Sequence, residues 1–96
     1  MPYYAILANW TEKGIRTVKQ APDRSDGLRK AVEAAGGRVL SLLYTMGAYD
    51  IVLAVELPSD EVANELMLRA GVQGFVRTTT LKGWSSEQFG ELAHKL

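Results

Sequence analysis

Apolar and polar positions alternate in the first ten residues: Tyr4, Ile6, Ala8 and Trp10 fall on one side of a dense apolar run, 2–10, of strand length. Thr11 is suited to cap a short helical piece, Glu12 to Lys19, which Gly14 weakens and Pro22 ends or offsets. From about Asp23 to Ala35 the period changes. Leu28, Ala31, Val32 and Ala35 recur at helical spacing, Asp26 and Lys30 stand one turn apart, and Gly36-Gly37 supplies a stop. Two strands follow, Arg38 to Met46 and Tyr49 to Leu57, separated by a hairpin turn around Gly47-Ala48. Pro58 stops the second of them. Ser59 can then cap a helix with Asp60 and Glu61 at its positive end and Val62, Ala63, Leu66, Met67 and Ala70 as its apolar stripe, ended by Gly71. Phe75 to about Trp84, rich in β-branched residues, reads as a fourth strand. Ser85 to Gln88 has the spacing of a capping box for a last helix carrying Phe89, Leu92 and Ala93.

The order is strand, helix, strand, strand, helix, strand and a terminal helix, with a short extra helix after the first strand. That is the α+β, ferredoxin-like βαββαβ pattern, in which helices cover one face of an antiparallel four-stranded sheet. The other face is left bare, so its polarity matters. In the third strand Tyr49, Ile51, Leu53, Val55 and Leu57 share one side and Asp50, Val52, Ala54 and Glu56 the other. The second strand reads Leu40, Leu42, Tyr44, Met46 against Val39, Ser41, Leu43, Thr45, so both faces have apolar members. A second subunit laid on the bare face would bury them, and a homo-oligomer built on a dimeric α/β barrel is expected. The alternative is a monomer in which the terminal helix covers that face.

With 96 residues the chain is expected to form one domain, 1–96. Lysine plus arginine equals aspartate plus glutamate at 11 each, so the charge footprint of a nucleic-acid or membrane-surface binder is missing. There is no cysteine, and His94 is the sole histidine. Disulfides, thiolate metal sites and cysteine nucleophiles are thereby excluded, a protein-only zinc site is not expected, and no cofactor is called for. No apolar run approaches the ~20 residues of a membrane span, and the N-terminus lacks a basic n-region, so a cytoplasmic location is the simple expectation.

Two stretches carry candidate chemistry. In Gly47-Ala48-Tyr49-Asp50, Asp50 can serve as a general base or polar anchor and Tyr49 as a proton donor or ring platform. The plainer reading, favoured by how common turn glycine and aspartate are, gives Gly47 a positive φ, packs Tyr49 under a helix, and gives Asp50 backbone amides or Arg77 to bind. In Arg77-Thr78-Thr79-Thr80, the guanidinium offers a fork for a carboxylate or phosphate, with hydroxyls such as that of Thr79 alternating beside it. An ion pair of Arg77 with Asp50 or Glu56 is the structural alternative.

Thr45-Met-Gly-Ala-Tyr-Asp-Ile-Val52, followed by Glu56-Leu-Pro-Ser-Asp-Glu61 and Gly74-Phe-Val-Arg-Thr-Thr-Thr-Leu81, resembles the GYD domain family of small bacterial and archaeal proteins. Thr11-Glu-Lys-Gly-Ile-Arg16 is similar to the family's segment after the first strand, so the resemblance spans nearly the whole chain. It implies a ferredoxin-like fold related to dimeric α/β barrels and no established reaction. Ala48 stands where the family often has arginine, and Phe75 where it often has asparagine. The expectation is an oligomeric small-molecule-binding or interaction module, with a pocket between sheet and partner lined by Tyr49, Asp50, Arg77 and Thr79. A cofactor-independent isomerase or oxygenase, with Asp50 as base and Arg77 stabilising developing charge, is the alternative from another class. A purely structural assembly subunit is the third.

Overall fold

A computed structural model describes residues 1–96. The chain runs β1 (Tyr3–Trp10), α1 (Glu12–Arg16), a 3-10 turn (Val18–Gln20), α2 (Ala21–Ala34), β2 (Arg38–Tyr44), β3 (Ile51–Glu56), α3 (Asp60–Gln73), β4 (Val76–Gly83) and α4 (Ser86–His94). The strands form one antiparallel sheet in the order β2-β3-β1-β4, the ferredoxin-like arrangement.

The alternation in β1 is what orients the sheet. Tyr4 and Ile6 lie directly opposite Val55 and Leu53, and these four, with Ala8 and Leu57, are buried beneath Val32 of α2 and Ala63 and Met67 of α3. Each fully buried aliphatic side chain of this kind stabilises the fold by about 1.5–3 kcal/mol, so the two central strands and the inner helix faces carry most of the core. β2 departs from simple alternation. Its register against β3 shifts between Val39 and Ser41, a bulge at Leu40. Val39 therefore joins Leu42 against the core, while Leu40 is left 42% exposed.

Three boundaries move from where local pattern puts them. Pro22 stands in the first turn of α2, where its missing N–H costs nothing, and the preceding segment splits into α1 and the 3-10 turn. Gly71 stays inside α3, and the helix is closed instead by Gly74 at φ +83°. The hairpin is wider than a tight turn, since β2 ends at Tyr44 and β3 begins at Ile51. At the start of α4 the capping box forms as expected: Ser85 Oγ accepts from Gln88 N at 3.1 Å and Gln88 Oε1 from Ser85 N at 3.1 Å.

One core group links the fold to pH. The Tyr4 hydroxyl donates to Asp60 Oδ1 at 2.5 Å, and Lys82 Nζ lies 3.1 Å from the same oxygen. Burial, then the bond to Asp60, pushes the Tyr4 phenol up to about 12 from 10.0. The bonds from Tyr4 and then Lys82 lower Asp60 from its ordinary 3.8. The folded state thus holds the phenolic proton more tightly than the unfolded chain. Its contribution is complete below pH 10.0 and is lost as pH rises towards 12. At the acid end, the contribution of Asp60 is present above 3.8 and is lost as pH falls through its lower folded value. Urea denaturation is expected to show falling stability above pH 10.0, with a flatter decline in Tyr4→Phe.

Candidate functional site

Asp50 closes the sheet. Pairing of β1 with β3 ends at Ala8 opposite Ile51, and beyond it Asp50 N donates to Ala8 O at 2.9 Å while Asp50 Oδ2 accepts from Trp10 N at 2.8 Å. The carboxylate thus replaces the missing ladder partner of Trp10. Asn9 Nδ2 fastens the same loop by donating to Ala48 O at 2.9 Å, and Thr45 Oγ1 donates to Tyr49 O at 2.6 Å. Asp50→Ala leaves the Trp10 amide without its acceptor, and chemical denaturation is expected to register a loss of about 1–3 kcal/mol.

Tyr49 lies in that loop and is 36% exposed. Arg77 and Thr79, opposite Asn9 and Leu7, point to the face of the sheet away from the helices. Neither carboxylate proposed as a partner for Arg77 pairs with it: Glu56 is held by Arg38 at 2.9 Å and Asp50 by the Trp10 amide. In the single chain, then, Asp50 is engaged at the loop and Arg77 and Thr79 remain exposed.

A different set of residues encloses space. α2 packs mainly over β2 and α3 over β4, so the helices straddle the sheet and leave a cavity of about 400 Å³ between them. Small side chains create the room: Ala8, Ala21, Gly27, Ala31 and Ala70 all line it. The rest of the lining is mostly apolar, with Ile6, Leu28 and Leu53 among it. Trp10 and Tyr44 form one wall, their rings near-parallel at 15° with centroids 6.1 Å apart. The Tyr44 hydroxyl is hydrogen-bonded to Ser25 and donates to Ala21 O at 3.2 Å, tying β2 to the start of α2.

Arg24 supplies the cavity's uncompensated charge. Its Nη1 donates to Thr17 O at 3.2 Å and Thr17 Oγ1 at 3.3 Å, and its guanidinium lies 4.1 Å from the Phe75 ring centroid. Nη2 is buried and has no hydrogen-bond partner. The other lining arginine, Arg69, is paired with Glu65 at 2.8 Å. Lys13 Nζ adds a second cation 4.5 Å from Phe75 while donating to Gln73 O at 2.9 Å. No carboxylate or histidine lines the cavity. The arrangement can hold an apolar body beside a cation, but it contains no carboxylate or imidazole to abstract a proton near neutral pH.

The sequence contains a trace of this site. Arg24 precedes Leu28 and Ala31 by four and seven residues, so it extends the inward stripe of α2 by one turn. A charged residue on an apolar stripe, followed by glycine and alanine at inward positions, was the available signal.

Fold and cavity together define a ferredoxin-like domain with a hollow between its helices and its sheet. The chain belongs to the GYD domain family, whose model matches residues 4–93. Among solved structures it is similar to TTHA0845 from Thermus thermophilus, with 20% identity over 90% of this chain and 96% of that one and a TM-score of 0.55. It is also similar to FFRP-DM1, with 15% identity over 88% of this chain and 100% of that one and a TM-score of 0.60. At these identities the likeness is one of fold. No curated protein matches the chain.

Proposed function

We propose that this GYD-domain protein is a small-molecule-binding module that works as an oligomer, with the cavity between α2, α3 and the sheet as the ligand's seat. The observation that carries the reading is the cavity itself: about 400 Å³, mostly apolar, with Arg24 among its lining residues. Sites for small ligands are typically hollows of this size with few polar groups. The seat differs from the one expected between sheet and partner around Tyr49, Asp50, Arg77 and Thr79. Those residues belong instead to the loop and the open face, where a second subunit would meet them.

Oligomerisation is supported by that face. Leu43 and Leu81 are 61% and 50% exposed there, alongside Leu7, Val52 and Ala54. α4 leaves its own Phe89 63% exposed, which argues against the terminal helix as the cover. The absence of a general base from the cavity favours binding over an isomerase reaction. A cytoplasmic setting belongs to the same proposal.

Native mass spectrometry of the purified protein, compared with its denatured mass, tests both parts. An oligomer carrying extra non-covalent mass is expected, and Ala70→Trp, which fills the cavity from α3, should shed that mass while keeping the subunit number. Retention of the same mass by Ala70→Trp would place the ligand elsewhere, and a wild-type monomer would remove the oligomer.

A further inference from the structure

Resting on the cavity as a ligand seat, we infer that it takes neutral, largely aliphatic molecules carrying one hydroxyl or carbonyl group, which the Thr78 hydroxyl receives. The charged groups around the space are already committed. Arg24 donates from Nη1 to Thr17 and stands against the Phe75 ring, and its Nη2 is covered by the fold. Arg69 is paired with Glu65, and the hydroxyls of Tyr44 and Ser25 are bonded to each other. Gln73 is exposed at the end of α3. An ionised ligand would leave its water shell and find no free partner inside, a costly transfer, whereas a neutral group gives up far less.

Thr78 is the exception among the polar lining groups. It stands opposite Ala8 in the pairing of β4 with β1, so its side chain shares the helix-facing side of the sheet with Ile6 and Ala8 and lines the cavity with them. The residue is half-buried, and its hydroxyl takes no part in the bonds that hold the other polar groups. The sole buried side-chain nitrogen or oxygen without a partner is Arg24 Nη2, so the unbonded Thr78 hydroxyl is open to the space it lines. A hydroxyl both donates and accepts, and it therefore matches an alcohol or a ketone without requiring charge. The body of the ligand follows from the remaining walls. Trp10 and Tyr44 are stacked on each other and Phe75 is taken by Arg24 and Lys13, which leaves aliphatic side chains such as Leu28, Leu53 and Leu66 as the free surface.

The probes are 1-octanol and octanoate, which share a chain length and differ in charge, titrated into the full chain by isothermal calorimetry near neutral pH. Octanol is expected to bind about tenfold or more tightly than octanoate, because the carboxylate is desolvated without a partner. Thr78→Val keeps the β-branched shape and removes the hydroxyl; it should weaken octanol about two- to tenfold, the net worth of one hydrogen bond. Thr80→Val, the same change two residues along the strand and outside the lining, should leave octanol binding as it is. Circular dichroism melts show whether the variants remain folded, and the wild-type comparison of alcohol with anion stands without them. Octanoate binding as tightly as octanol overturns the neutral selectivity. Undiminished octanol affinity in folded Thr78→Val, or an equal loss in Thr80→Val, overturns the role of Thr78 but leaves the cavity as a binding site. If neither probe binds, this inference fails, and the broader reading fails with it only when Ala70→Trp also retains its non-covalent mass.

Discussion

Gly14→Ala is expected to destabilise the protein by about 3 kcal/mol or more, although alanine is the better helix former by about 1 kcal/mol. The reason is a tertiary contact. A Cβ on Gly14 would lie 1.9 Å from the Phe75 carbonyl oxygen and 2.9 Å from its carbon, both backbone atoms, with Trp10 Cε3 at 3.3 Å on the ring side. The carbonyl cannot retreat alone, because it accepts from Thr11 N at 3.1 Å, while Thr11 Oγ1 donates to the neighbouring Gly74 O at 2.5 Å and accepts from Gly14 N at 3.0 Å. α1 is therefore clamped to the start of β4 at the point where Phe75 supports Arg24 and Trp10 begins the cavity wall. Forcing them apart should lower the urea midpoint and also loosen the cavity. A Gly14→Ala protein as stable as wild type would show that α1 is not docked against Phe75. Gly37 makes a comparable approach, its added Cβ falling 2.1 Å from Glu56 O, but far from the cavity; alanine there should lower stability without the second effect.

What could be read from the chain divides along the same line between local and tertiary causes. The alternation of Tyr4, Ile6 and Ala8, the odd-numbered core residues of β3 and the capping box at Ser85 each follow from spacing within a few residues, and each is found where spacing puts it. The bulge at Leu40 is decided by pairing with a strand across a loop, and it reverses the face assigned to Val39. Gly71 and Gly74 are equally good stops by composition; only the backbone angle separates them. Asp50 has the composition of a site residue and the geometry of a sheet closure, because its partners Ala8 and Trp10 lie on a strand forty residues earlier. The cavity was the hardest feature to foresee. Its lining is drawn from all four strands and from α2 and α3, and an empty space leaves no signature in a period of apolar residues.

If the proposed dimer closes through the open face, Leu43→Asp is expected to convert it into a folded monomer, and the size of the effect follows from symmetry and register. Leu43 lies opposite Val52, Val52 opposite Leu7, and Leu7 opposite Thr79, so these four form one transverse row across all strands on the open face. Ala54, Ala5 and Leu81 form the neighbouring row, opposite one another in turn. Within one chain Leu43 is 61% exposed, so a charge there is well hydrated and surface substitutions of that kind move stability by only about 0.5 kcal/mol. In a two-fold dimer closed through this face the same position would be desolvated, and each substitution would occur twice. At roughly 2 kcal/mol for each polar group buried without a partner, the pair would cost about 4 kcal/mol, close to a thousandfold in the dissociation constant. Light scattering on a sizing column should then report half the wild-type mass for Leu43→Asp at micromolar concentration, with an unchanged circular dichroism spectrum. An unaltered mass would exclude the row containing Leu43 from the interface.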